Sequence, residues 1–104
     1  MKKNIAAFAL TLGLGSILAL PAQASEDLFK KSGCNACHAI DKKVLGPAFK
    51  DVSAKYKGKK GADAALAAKI KGGSKDVWGV IPMPPNTAVS EENALILAKW
   101  VLTQ

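Results

Sequence analysis

The chain has 104 residues, 49% of them hydrophobic, with 15 basic side chains against 8 acids and a formal charge of +7. That length fits one domain, and the lack of internal periodicity excludes a repeat architecture. Every basic side chain is a lysine, which argues against a site built on the planar guanidinium fork for bidentate phosphate or carboxylate recognition.

The chain opens like an address. Lys2 and Lys3 form a basic start, Ile5 to Leu20 is mostly apolar, and Pro21 precedes Ala22-Gln23-Ala24, a small-x-small cleavage signature. The expected reading is a secretory signal peptide over residues 1–24, cut after Ala24. An uncleaved membrane anchor is the rival. A span needs about 20 apolar residues, and this run is interrupted by Thr11, Gly13, Gly15 and Ser16. The remaining domain, residues 25–104, carries 13 lysines against 8 acids. A domain this small seldom stabilises itself on its own core and usually needs a disulfide, metal or cofactor. Export also places its two cysteines in an oxidising compartment. Nucleic acid is not an expected partner there, whereas a diffuse positive face that steers a transient acidic partner is.

Four short helices and one proline-rich loop follow, with no alternating strand pattern. The first helix is expected over Ser25–Gly33, with Ser25 as N-cap, Glu26 and Asp27 in the first turn, Lys30 and Lys31 in the last, and Gly33 closing it. The second is expected from Pro47 at N1 to Tyr56, with Ala48, Phe49, Val52 and Tyr56 on one face. Lys57-Gly58-Lys59-Lys60-Gly61 is a basic loop, read as solvated rather than as a docking site. The third helix is alanine-rich, Ala62–Lys71, stopped by Gly72-Gly73. The fourth is expected over Glu91–Leu102, capped by Ser90. Ala94, Leu97, Ala98 and Val101 face inward, and Trp100 flanks that stripe. Asp76–Val89 between the last two helices contains Ile81-Pro82-Met83-Pro84-Pro85-Asn86.

Residues 34–38 read CNACH and use every cysteine and the one histidine of the chain. Three chemistries compete for them. A disulfide or thioredoxin-like redox pair wants a βαβ context, and no strand pattern is visible. A structural zinc site needs four ligands, and the fourth would have to be a distant carboxylate. A c-type haem attachment site uses all three side chains: each thiol adds across a haem vinyl group and the adjacent imidazole ligates the iron. Export and small size both favour the third.

A haem iron held by His38 still needs a decision on its other side. The mature chain has no second histidine, and its one methionine is Met83. A methionine is ordinarily core filler. Pro82, Pro84 and Pro85 make a stiff, donor-poor loop around this one, suited to hold a thioether at the iron in both oxidation states. His/Met is an established cytochrome c pair, and the thioether raises the potential.

GCNACHAIDKKVLGPAF, the basic AKYKG, KIKGGSKDVWGVIPMPPN and the final AKWVL together resemble the small bacterial class I cytochromes c of the c-551 type, over essentially all of residues 25–104. The resemblance implies an all-α class I cytochrome c fold, about four short helices around one covalently bound haem c, with the first and last helices crossing. It implies thioethers at Cys34 and Cys37, and iron ligation by His38 and Met83. The Pro47 carbonyl is expected on the other imidazole nitrogen, Asn86 near the methionine sulfur, and the Trp78 indole on a haem propionate. Helix three of the family commonly offers the propionates an arginine; Lys69 stands there here.

The expected function is that of a soluble periplasmic monohaem electron carrier, a monomer and not an enzyme, with no stable membrane insertion after cleavage. Its haem edge is expected near Asn35, Ala36, Ala39 and the Met83 loop. By resemblance it exchanges single electrons with periplasmic or membrane redox proteins, a nitrite reductase or terminal oxidase among them. The alternative is a haem enzyme or gas sensor with an open sixth iron site, for which the sequence supplies neither a distal histidine nor an arginine.

Overall fold

The structure, a computed structural model, describes residues 22–104; most of the expected signal peptide, residues 1–21, lies outside the described residues. In chain order the elements are α1 (Ala22–Lys31), a 3₁₀ turn (Cys34–Ala36), α2 (Phe49–Tyr56), α3 (Ala62–Gly72) and α4 (Glu91–Val101). The described residues hold no β-strand, only two isolated antiparallel bridges, His38 with Lys43 and Ser74 with Met83. The all-α expectation is met.

Two helix starts differ from expectation. α1 is described from Ala22 onward, and Ser25 lies inside the helix, buried at 5% exposure, instead of capping it. Alanine and glutamine propagate a helix well, so the turn extends through the cleavage signature. Pro47 is not the first residue of α2, which starts at Phe49 after an extended Ala48 (φ −59°, ψ 142°). A helical Pro47 would direct its carbonyl along the helix axis; outside it, that oxygen is free for another partner. At the other ends the agreement is closer. Gly33 closes α1 in the left-handed region (φ 77°), and Gly73 follows α3 (φ 83°). The Ser90 Oγ accepts the Asn93 amide at 3.1 Å and caps α4.

α4 is the axis of the core. Its Ala94 and Ala98 have no exposed surface and Leu97 and Val101 are buried, which gives the inward stripe its expected composition. α4 packs against α1, α2 and α3. Trp100, expected at the edge of the stripe, is itself core at 7% exposure. Its ring lies 5.4 Å from Phe29 of α1 and 5.8 Å, edge-on, from Phe49 of α2, and those two phenyl rings meet edge-on at 5.3 Å. Such edge contacts contribute about 0.5–1.5 kcal/mol each beyond area burial. The Ser53 hydroxyl, buried on α2, donates to the Leu102 carbonyl at 2.9 Å and ties α2 to the end of α4.

Candidate haem site

A cavity of about 750 Å³ lies between α1, the 3₁₀ turn, α2, α3, α4 and the 74–86 loop. This lies within the roughly 300–1,000 Å³ usual for small-molecule and cofactor sites. Cys34, Cys37, His38, Pro47, Trp78, Met83 and Asn86 all line it. Aliphatic and aromatic side chains, among them Phe29, Val52, Leu66 and Leu97, supply its apolar wall.

The CNACH segment is one tight turn. Cys37 and His38 donate their amides to the Cys34 carbonyl at 3.1 and 2.9 Å, which draws the three chemical groups together. Both thiols are free. Burial pushes the Cys34 thiol above its usual range, its own backbone hydrogen bond opposes this, and the neighbouring Cys37 adds a smaller upward push.

His38 is fixed on three sides. Its Nδ1 lies 2.8 Å from the Pro47 carbonyl oxygen. A carbonyl only accepts, so Nδ1 carries the proton and the neutral ring keeps its lone pair on Nε2, the atom left for a metal. The ring stacks on Phe49, centroids 4.9 Å apart and planes at 28°. Gly46 packs on it so closely that a Cβ there would sit 2.5 Å from Cε1. In the sequence Phe49 reads only as part of the apolar face of α2, and Gly46 carries no signal beyond its place before Pro47.

Met83 is held through its backbone. Its amide donates to the Ser74 carbonyl at 2.7 Å, and its carbonyl accepts the Ser74 amide at 3.0 Å. Gly73 makes this possible: a Cβ there would lie 2.8 Å from the Met83 oxygen. The loop returns to α3 twice: the Asn86 backbone amide donates to the Ile70 carbonyl at 2.9 Å, and the Lys71 ammonium donates to the carbonyl of Val89, just before the α4 cap, at 2.6 Å. Gly72-Gly73 read in the sequence only as a helix stop, and neither Ser74 nor Lys71 carried a signal. Lys69 and Trp78 both line the cavity, and Trp78 is 38% exposed.

The residues fit a covalent haem. Two free thiols, an imidazole whose protonation leaves Nε2 available, and a thioether held by backbone pairing share one largely apolar cavity. Zinc lacks its donors: no group of three or more His, Cys, Asp or Glu side chains among the described residues is placed to hold a metal ion. The thioredoxin reading lacks its βαβ frame among the same residues.

Comparison with known proteins agrees. A sequence model of the family described as Cytochrome c matches residues 22–104. Cytochrome c-551 of Pseudomonas aeruginosa is 60% identical over 95 residues, covering 89% of this chain and 90% of that protein. Cytochrome c-552 of Nitrosomonas europaea is 58% identical over 82 residues, covering 79% of this chain and 80% of that one. The crystal structure of the wild-type Nitrosomonas europaea cytochrome c552 superposes with a TM-score of 0.74, covering 75% of this chain and 96% of that chain. A Class 1 cytochrome of Sideroxydans lithotrophicus, 29% identical, superposes with a TM-score of 0.67 over 82% of this chain and 97% of its own. The chain belongs to the cytochrome c family, with the small class I cytochromes of the c-551 type, electron-transfer proteins that carry haem c covalently and are not enzymes.

Proposed function

We propose that the protein is a soluble, monomeric periplasmic carrier of single electrons, with haem c bonded through Cys34 and Cys37 and its iron ligated by His38 and Met83. The observation that carries this is the Nδ1–Pro47 hydrogen bond, because it leaves His38 a single basic nitrogen for the iron. The haem supplies a one-electron iron couple; the chain binds it, orients its ligands and keeps water from it. Pro47 holds the imidazole plane and its proton. The Ser74–Met83 pairing and the flanking prolines keep the thioether in place through both oxidation states, which keeps reorganisation small. Asn86, near Met83 in the loop, is the proposed partner of the sulfur, and Trp78 with Lys69 the proposed partners of the haem carboxylates.

Docking is proposed at the exposed rim. Asn35 and Ala36 are exposed there, and so are Val44, Leu45, Val80 and Ile81, with Lys42, Lys43 and Lys75 among them. Apolar contact inside a basic rim suits brief complexes with periplasmic or membrane redox proteins of complementary charge, a nitrite reductase or terminal oxidase by resemblance. Export rests on the residues 1–24 reading; cleavage after Ala24 removes the first turn of α1 and leaves 25–104 as the working domain. No helix among the described residues is long and apolar enough to cross a membrane.

The test is the absorption spectrum of the exported protein, ferric and ferrous, beside Met83→Ala. A low-spin c-type spectrum with the weak sulfur-to-ferric-iron band, lost in the variant, is the expected result. A high-spin spectrum that shifts with small added ligands overturns the carrier in favour of an open-iron enzyme or sensor.

A further inference from the structure

The span from Lys75 to Pro82 runs along the cavity with little to hold it. Ser74 and Met83 close its neck, but within it no hydrogen bond ties the chain down among the described residues. Asp76 and Gly79 take positive φ of 62° and 124°, so no regular element sets its path. Trp78 sits in its middle and lines the cavity. The ammonium of Lys55, in the last turn of α2, lies 5.1 Å from the centroid of the Trp78 ring. That is inside the ~6 Å range over which a cation is drawn to an aromatic face. Lys55 is also 5.9 Å from the Tyr56 centroid, and Lys59 is 5.6 Å from that same ring. Of these two lysines, only Lys55 joins α2 to the loop.

We infer that Lys55 is a positioning residue: its ammonium clamps the Trp78 indole to the end of α2 and holds the 75–82 span against the cavity. The inference rests on the haem reading of that cavity. A lysine suits the task because Trp78 lies at the rim. The long side chain brings its ammonium over the ring while that ammonium stays in contact with water. An aliphatic side chain of similar length would reach the ring without the charge that is drawn to it.

The test uses the intact haem-loaded protein and three variants, Lys55→Met, Lys55→Arg and Lys59→Met, with Lys55→Gln as substitute should the methionine variant fail to accumulate. The readout is hydrogen exchange of the Trp78 indole N–H by NMR, with the Trp100 indole as internal reference. Losing a half-exposed cation–π contact is expected to speed Trp78 exchange roughly two- to fivefold and to leave Trp100 unchanged. Lys55→Arg is expected to match the unaltered protein, and so is Lys59→Met, which removes an equal charge without touching Trp78. Unchanged Trp78 exchange in Lys55→Met, equal acceleration in Lys59→Met, or failure of arginine to restore it overturns the clamp. An absent c-type spectrum in the unaltered protein overturns both this inference and the haem reading. An ordinary spectrum with unchanged Trp78 exchange overturns the clamp alone.

Discussion

Gly46 lies against the His38 ring so closely that a Cβ on it would stand 2.5 Å from Cε1 and 2.9 Å from Nδ1. No real Cβ contact is that short, so either the ring or the 44–47 backbone must move. The backbone is committed at both ends: the Gly46 amide donates to the Cys37 carbonyl at 2.8 Å, and the Pro47 carbonyl holds Nδ1 at 2.8 Å. The φ of Gly46 lies outside the left-handed region, so the conflict is purely one of space. Gly46→Ala is expected to lower the unfolding free energy of the haem-loaded protein by about 2 kcal/mol, the middle of the range for forced overpacking. Denaturant titration measures this. Unaltered stability would show that the ring swings aside freely.

Gly73→Ala combines two faults. Its φ of 83° disfavours a side chain, and the added Cβ would meet the Met83 carbonyl at 2.8 Å and Pro85 at 3.2 Å. The Ser74–Met83 pairing is then the contact most directly broken. The expected result is partial or complete loss of the sulfur-to-iron band in the ferric protein. Gly58→Ala is the control: its φ is 79°, yet nothing lies within 4 Å of its Cβ. It should cost about 1 kcal/mol in stability and leave the band intact. An unchanged band in Gly73→Ala would mean that Met83 does not depend on this pairing.

The residues proposed for the chemistry were legible in the sequence; of the residues that hold them only Pro47 was, through the family resemblance. CNACH and IPMPPN name their own groups because thiol, imidazole and thioether chemistry is scarce in this chain. The α4 stripe was legible through its period and Ser90 through its cap chemistry. Pro47 was misplaced because helical and extended backbone share the proline φ and differ in ψ, which proline does not fix. Ser25 has the chemistry of a cap, but the good helix formers on its N-terminal side carry no stop signal, so α1 runs through it. Gly46 and Gly73 are required by His38 and Met83, contacts across the fold that local propensity does not encode. Trp100 is core because rings from two other elements enclose it, a fact of tertiary packing and not of helical period.

Lys71 joins α3 to the residue before the α4 cap, its ammonium donating to the Val89 carbonyl at 2.6 Å. Val89 is buried and the bond is partly shielded, so the charge-assisted contact counts for more than a surface ion pair. Lys71→Met keeps the stem and removes the donor. A loss of about 1–2 kcal/mol is expected, since an unpartnered carbonyl remains beside α4. Ser90→Ala, which removes the cap itself, should cost about 1 kcal/mol. The two should be less than additive in a double-mutant cycle, because both fix the entry to α4. Strict additivity would show that Lys71 acts elsewhere.

Phe29 is one of the residues through which core and cavity share a wall. It is 5% exposed, meets Phe49 and Trp100 at 5.3 and 5.4 Å, and also lines the cavity. Phe29→Ala therefore opens space toward both α4 and the haem site. A loss of about 3–5 kcal/mol is expected from deleting a buried phenyl ring, a large share of the roughly 5–15 kcal/mol that holds a typical domain. Phe29→Leu restores most of the volume and loses the two aromatic contacts, so about 1–2 kcal/mol is expected. The comparison separates cavity from ring geometry. Thermal unfolding of both haem-loaded variants decides it: equal losses would mean that aromatic contact, and not filled volume, is what Phe29 contributes.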